Sequence, residues 1–114
     1  MKQDPRVVDA IRKATTDELD QIVGPFFNEA LLMLDVQSQR TREDVQAEAH
    51  AVRAAMGTPT RTLCLEAARQ VFLAGETIDA DSQPAVAGQL GLRLAALAVV
   101  MDQLAKHDDA EGSR

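Results

Sequence analysis

Apolar residues recur three and four apart along most of this chain, and nowhere do they alternate with polar ones over the length of a strand. Leu19, Ile22, Val23, Phe26, Phe27, Ala30, Leu31 and Leu34 form one such series, the apolar face of an amphipathic helix. Gly24-Pro25 falls inside it. Either the helix kinks there, or one helix ends and another begins with Pro25 in its first turn, and the pattern fits both. Upstream, Asp4-Pro5 reads as an N-cap followed by proline at the first helical position, opening a short helix that runs to Ala14. Thr15 and Glu18 then have capping-box spacing, which restarts the helix.

Polar residues over 37–40 make the next break, and Thr41 is placed to cap a segment over 42–56 with the stripe Val45, Ala49, Val52 and Met56. Gly57-Thr58-Pro59 stops it, with Gly57 suited to a left-handed cap and Pro59 unable to continue a helix. Thr60 caps a further helix carrying Leu63, Ala67 and Val71, flanked by Cys64, Ala68 and Phe72 and closed by Gly75. After an acidic loop over 76–83, Ser82 and Pro84 announce the last helix. Its apolar positions Val86, Leu90, Leu94, Leu97, Met101 and Leu104 repeat about every 3.5 residues. The expected fold is all-α: an antiparallel four-helix bundle over 16–106, an additional short N-terminal helix over 1–15 acting as a lid, and a flexible polar tail over 107–114.

Composition supports this class and narrows the function. The 114 residues are 46% apolar but only 3% aromatic, with three Phe and neither Trp nor Tyr, so the core must be aliphatic. The net charge of −6 argues against a nucleic-acid module, whose affinity rests on clustered cations facing phosphates. One cysteine, Cys64, excludes an intramolecular disulfide and a zinc framework, and reads as a small buried hydrophobe. No apolar stretch reads as long enough for a membrane span, and Met1-Lys2-Gln3-Asp4-Pro5 has no signal-peptide core, so a cytoplasmic protein is expected. Met33, Met56 and Met101 read as core filler. Glu76, Asp79 and Asp81 are too irregular for a calcium loop, and Gly88 and Gly91 read as points of close helix packing rather than a phosphate loop.

Two histidines remain. His107 stands in the charged tail beside Asp108 and Asp109 and is given no role. His50 falls just off the Val45–Ala49–Val52–Met56 stripe, on the shoulder of its helix, where Gln46, Arg53 and Ala54 share its surface. By position alone such a histidine is most often an ordinary surface residue. A partly exposed imidazole beside a guanidinium and a methyl-sized neighbour is nevertheless the setting a phosphoryl acceptor requires: an open nitrogen, a cation for the incoming charge, and room for a partner.

The stretch Glu48-Ala49-His50-Ala51-Val52-Arg53-Ala54-Ala55-Met56-Gly57, followed by Leu63-Cys64-Leu65-Glu66-Ala67-Ala68-Arg69, resembles the signature of histidine-containing phosphotransfer (HPt) domains. The similarity of layout covers residues 16–106, although the informative motif is short. The resemblance implies a bundle without kinase activity of its own. It would accept a phosphoryl group from a receiver-domain aspartate and relay it to another. It makes His50 the phosphoacceptor, with Arg53 stabilising charge where the family commonly has Lys, Gln46 available for an orienting hydrogen bond, and Ala54 and Gly57 facing the docked partner. It also implies a response-regulator receiver or hybrid histidine kinase as partner, Mg2+ held by that receiver rather than by this chain, and a monomer that engages neither nucleic acid nor membrane. Two departures stand out: Ala54 occupies a position where the family usually has Gly, and the following turn is shortened and contains Pro59. The competing expectation is a bundle that has lost transfer and serves as a protein-binding scaffold or dimeric regulator.

Overall fold

The computed structural model describes residues 5–78 and 81–112, with side chains as far as Lys106. Among these residues it is all-helical, with five helices and no strand: α1 (Pro5–Lys13), α2 (Thr16–Asp35), α3 (Gln39–Met56), α4 (Arg61–Glu76) and α5 (Pro84–Gly112). Asp4 as a cap, Asp79, and the side chain of His107 lie outside the described residues.

Local chemistry sets most of the boundaries. Thr15 accepts a hydrogen bond from the Glu18 N–H at 3.2 Å while the Glu18 carboxylate accepts from the Thr15 N–H at 3.3 Å, completing the expected capping box of α2. Helix α2 runs unbroken through Pro25, which resolves the Gly24-Pro25 alternatives in favour of one helix. The proline ring faces solvent, where the carbonyl it leaves unbonded can be hydrated. Helix α3 begins earlier than expected: the cap is Ser38, whose hydroxyl accepts from the Thr41 N–H at 3.2 Å, and Thr41 lies inside the first turn. Thr60 caps α4 as expected, but that helix passes through Gly75 and ends at Glu76. Helix α5 starts at Pro84 and stays helical to Gly112, so residue 107 is not the end of the helix.

The core gathers around α5, which packs against α2, α3 and α4, while α4 also packs against α1 and α2. Ala96, Leu97, Ala98, Val99 and Val100 are all buried. Successive helical residues turn by about 100°, so five in a row sweep more than a full circumference, and the helix is enclosed on every side at this level. The expected one-sided seam is therefore incomplete: Leu97 belongs to it, but Val86 is exposed and the tight centre comes from small and β-branched residues between the seam positions. By length and composition the segment Pro84–Lys106 could cross a membrane, which corrects the expectation that no stretch is long enough. Within this fold its middle is covered by the other helices, and it carries Arg93, ion-paired to Glu48, and Asp102, ion-paired to Lys106.

Three further expectations change. On α4 the buried face is Cys64, Leu65, Ala68 and Phe72, while Leu63 is exposed, so the flank named in the sequence pattern is the true core. Met33 is exposed along with Leu32 and Val36 at the end of α2, not packed in the core. A methyl group placed on Gly88 or Gly91 would meet nothing within 4 Å, so neither mediates close packing here.

A polar side chain of α4 helps to tie helix α1 down. Arg69 of α4, half-buried, donates to the carbonyls of Arg12 at 3.0 Å and Ala14 at 2.7 Å, and pairs with Glu66 at 3.0 Å. These are carbonyls at the C-terminal end of α1, which lack helical partners and carry the negative end of the helix dipole, so a guanidinium satisfies both needs. Beneath it Val8 and Ile11 insert into the core. Replacing Arg69 by leucine is expected to lower the unfolding free energy by about 2–3 kcal/mol, since it strands partly buried carbonyls and the Glu66 carboxylate. Urea unfolding measures the loss, and amide exchange is expected to accelerate first over residues 5–13. Uniform acceleration along the chain would show that Arg69 does not hold α1 in particular.

Candidate functional site

Helix α3 presents two faces. Val45, Ala49 and Val52 are buried and pack chiefly toward α5. Gln46, His50, Arg53 and Ala54 are exposed and stand on the opposite shoulder. They lie three or four residues apart, so they form a single stripe one above another. The helix is fixed at both ends of this stripe. Ser38 caps the start, with Gln39 donating to Glu43 at 3.1 Å in the first turn. At the other end the Gly57 N–H donates to the carbonyls of Arg53 at 3.1 Å and Ala54 at 3.3 Å. Gly57 has φ +74° and ψ −85°, a backbone conformation that residues with a Cβ rarely adopt, so the residue is needed there for conformation. It bends the chain into the turn that brings Pro59 alongside the helix.

The stripe forms one side of an open concavity of about 500 Å3. His50, Arg53 and Gln46 line it with Ala54 and Gly57, the five residues singled out in the sequence, and the structure brings them all together. Pro59 contributes to the rim, and Gln103 of α5 forms the facing wall. None of the described residues lining the concavity is acidic. In a chain with net charge −6 that leaves a local surface where Arg53 is the dominant charge.

His50 has no hydrogen-bond partner among the described residues, and Gln46 shares the concavity without bonding the ring. The residue is exposed, so its ring is accessible from solvent. Arg53 donates through Nη1 to the side-chain oxygen of Gln103, and no carboxylate pairs with it among the described residues. By contrast, Glu48 on the neighbouring face is engaged by Arg93 at 3.2 Å, which keeps that carboxylate away from the concavity. Gln103 is the residue that sequence reasoning missed. Its only signal was the polar pair Asp102-Gln103 between Met101 and Leu104, which reads as solvent-facing until α3 and α5 are packed together.

Cys64 on α4 is without solvent exposure and does not line the concavity, and burial pushes its thiol up from the ordinary range. It has no part in the site. Among the described residues there is no group of three or more His, Cys, Asp or Glu side chains placed to hold a metal ion.

No family model matches this chain, and no curated protein or solved structure matches it either. The functional reading rests instead on the short motif around His50 together with the geometry of the concavity.

The contrast between the two nucleophiles is directly measurable. Diethyl pyrocarbonate is expected to modify His50 in the folded protein, while a thiol-reactive chromophore leaves Cys64 untouched until the protein unfolds. The raised thiol has a signed consequence for stability: above the ordinary thiol range the unfolded chain releases a proton that the folded chain retains, so stability falls as pH rises. Cys64→Ala is expected to flatten that slope in urea midpoints collected between about pH 8 and pH 10, and an unchanged slope would place its origin elsewhere.

Proposed function

We propose that this chain is a histidine phosphotransfer protein, in which His50 accepts a phosphoryl group from a receiver-domain aspartate and passes it to another. The observation that supports the reading is an exposed imidazole, without a hydrogen-bond partner and in a concavity without carboxylates among the described residues, with a guanidinium one helical turn away. In this reading α2 to α5 form the antiparallel four-helix bundle of such proteins and α1 is the lid. The protein works as a cytoplasmic monomer, and its partner is a response-regulator receiver or a hybrid histidine kinase rather than nucleic acid or membrane.

The chemistry follows from the geometry. An unprotonated ring nitrogen of His50 places its lone pair on phosphorus, the bond from phosphorus to the aspartyl oxygen breaks, and the carboxylate leaves with that electron pair. The proton on the other ring nitrogen is then released to solvent. The reverse order returns the group to a second receiver. Charge on the transferring oxygens is what must be stabilised, since little else in phosphoryl transfer is left for the protein to do. Arg53 supplies one cation, and the Mg2+ of the docked receiver supplies the other. Ala54 and Gly57 keep the floor of the approach low. Ala54 adds one methyl group where the family pattern has Gly, and because it is exposed it meets the partner rather than the core.

A second reading has an observation of its own. Leu32, Met33 and Val36 are 71%, 51% and 77% exposed at the end of α2. A cluster of that kind suits a protein-binding scaffold or dimeric regulator built on the same helices.

The two are separated by incubating the protein with a receiver domain charged with radiolabelled phosphate in the presence of Mg2+. Label that is labile in acid, stable in base and absent from His50→Gln is the expected result. Binding of the receiver without label, or label that persists in His50→Gln, would sink the phosphotransfer reading, and a dimer by light scattering would then favour the regulator. Within the first outcome, Ala54→Gly is expected to speed transfer severalfold while costing about 1 kcal/mol of helix stability.

A further inference from the structure

The Arg53–Gln103 hydrogen bond joins the helix that carries His50 to the central helix of the core. It does so with a neutral acceptor. Surface arginines in an acidic protein commonly find carboxylates, and Arg61, Arg69 and Arg93 do so here with Asp20, Glu66 and Glu48. A carboxylate at position 103 would hold Arg53 equally well, but it would cancel the guanidinium charge and repel an incoming phosphoryl group. A side-chain amide holds the same geometry and leaves the charge in place.

We propose that Gln103 is a positioning residue of the His50 site. Its side-chain oxygen keeps Arg53 lying in the concavity as an unneutralised cation, and the ligand it prepares for is a dianionic phosphoryl group. The inference rests on the phosphotransfer reading of His50 and adds to it the regulation of the cation beside the acceptor. The supports are independent of each other: the direct hydrogen bond between α3 and α5, the shared lining of one concavity, and the absence of acidic residues from that lining among the described residues. The backbone of Gln103 sits one turn beyond the enclosed segment ending at Val100, on the same helix. Without that tether Arg53 is a long exposed side chain with many rotamers, and placing it over the phosphoryl group would draw on the entropy of ordering it at every transfer.

The test uses the full chain and two phosphoryl donors: phosphoramidate, a small molecule that needs no docking, and a phosphorylated receiver domain. Initial labelling rates are compared for the wild type, Gln103→Ala, Gln103→Glu, Arg53→Ala and the double variant Arg53→Ala/Gln103→Ala, with thermal melts recorded in parallel. Gln103→Ala is expected to slow labelling a few-fold with both donors, and Gln103→Glu on the order of tenfold, at similar melting temperatures. In the Arg53→Ala background the further change at Gln103 is expected to have no effect, because a residue that acts through Arg53 has nothing left to position. Rates for Gln103→Glu within twofold of wild type, or effects at the two positions that simply add, would overturn the proposal while leaving His50 as acceptor. A wild-type protein that takes label from neither donor would overturn both readings together.

Discussion

The enclosure of α5 between Ala96 and Val100 is the constraint on which the rest of the structure depends. A helix buried around its whole circumference cannot slide or rotate without moving every neighbour, because interiors are packed as densely as crystals. Its small residues matter as much as its large ones. Ala96 and Ala98 allow neighbouring backbones to come close, while Leu97, Val99 and Val100 fill the remaining space. With so few aromatic side chains available, this aliphatic interlock is the main source of burial, and Phe26 and Phe72, edge-to-face with ring centres 5.2 Å apart, supplement it at one end.

Much of the fold was legible because helix signals are local. The capping box at Thr15 and Glu18, the cap at Thr60 and the stop at Gly57 are short patterns whose chemistry needs no tertiary partner, and they set boundaries correctly. At the start of α3 the sequence pointed to Thr41, and the helix begins one turn earlier at Ser38, whose hydroxyl caps equally well. The buried faces of α4 and α5 were legible less well. Periodicity reports which side of a helix is apolar when one side is buried, but around Val100 there is no polar side to report, and on α4 the apolar residues spread over so wide an arc that the stripe could be drawn through Leu63 or through Cys64.

The site divides along the same line. Gln46, Arg53 and Ala54 share a helix with His50, so spacing put them on one surface, and Gly57 joined them through the family resemblance. Gln103 is separated from them by the whole of α4 and enters only through packing. The electrostatic character of the concavity was equally invisible, since it results from where the carboxylates of the described residues are not. Glu48, only two residues from His50, turns to the other flank and meets Arg93 there. A scattered excess of acid along the sequence thus coexists with a concavity that has no acidic lining among the described residues.

The pairing of a reactive helix with a supporting helix from the opposite end of the chain has a consequence for how such a surface could be copied. A synthetic peptide spanning residues 39–57 would reproduce the order of side chains around His50 and even the glycine stop, yet it would lack the wall contributed by α5. On the proposed reading, chemical competence would belong to the closed fold rather than to the segment bearing the imidazole. Grafting the segment onto another helical scaffold would require carrying over the amide at the far end of the sequence as well.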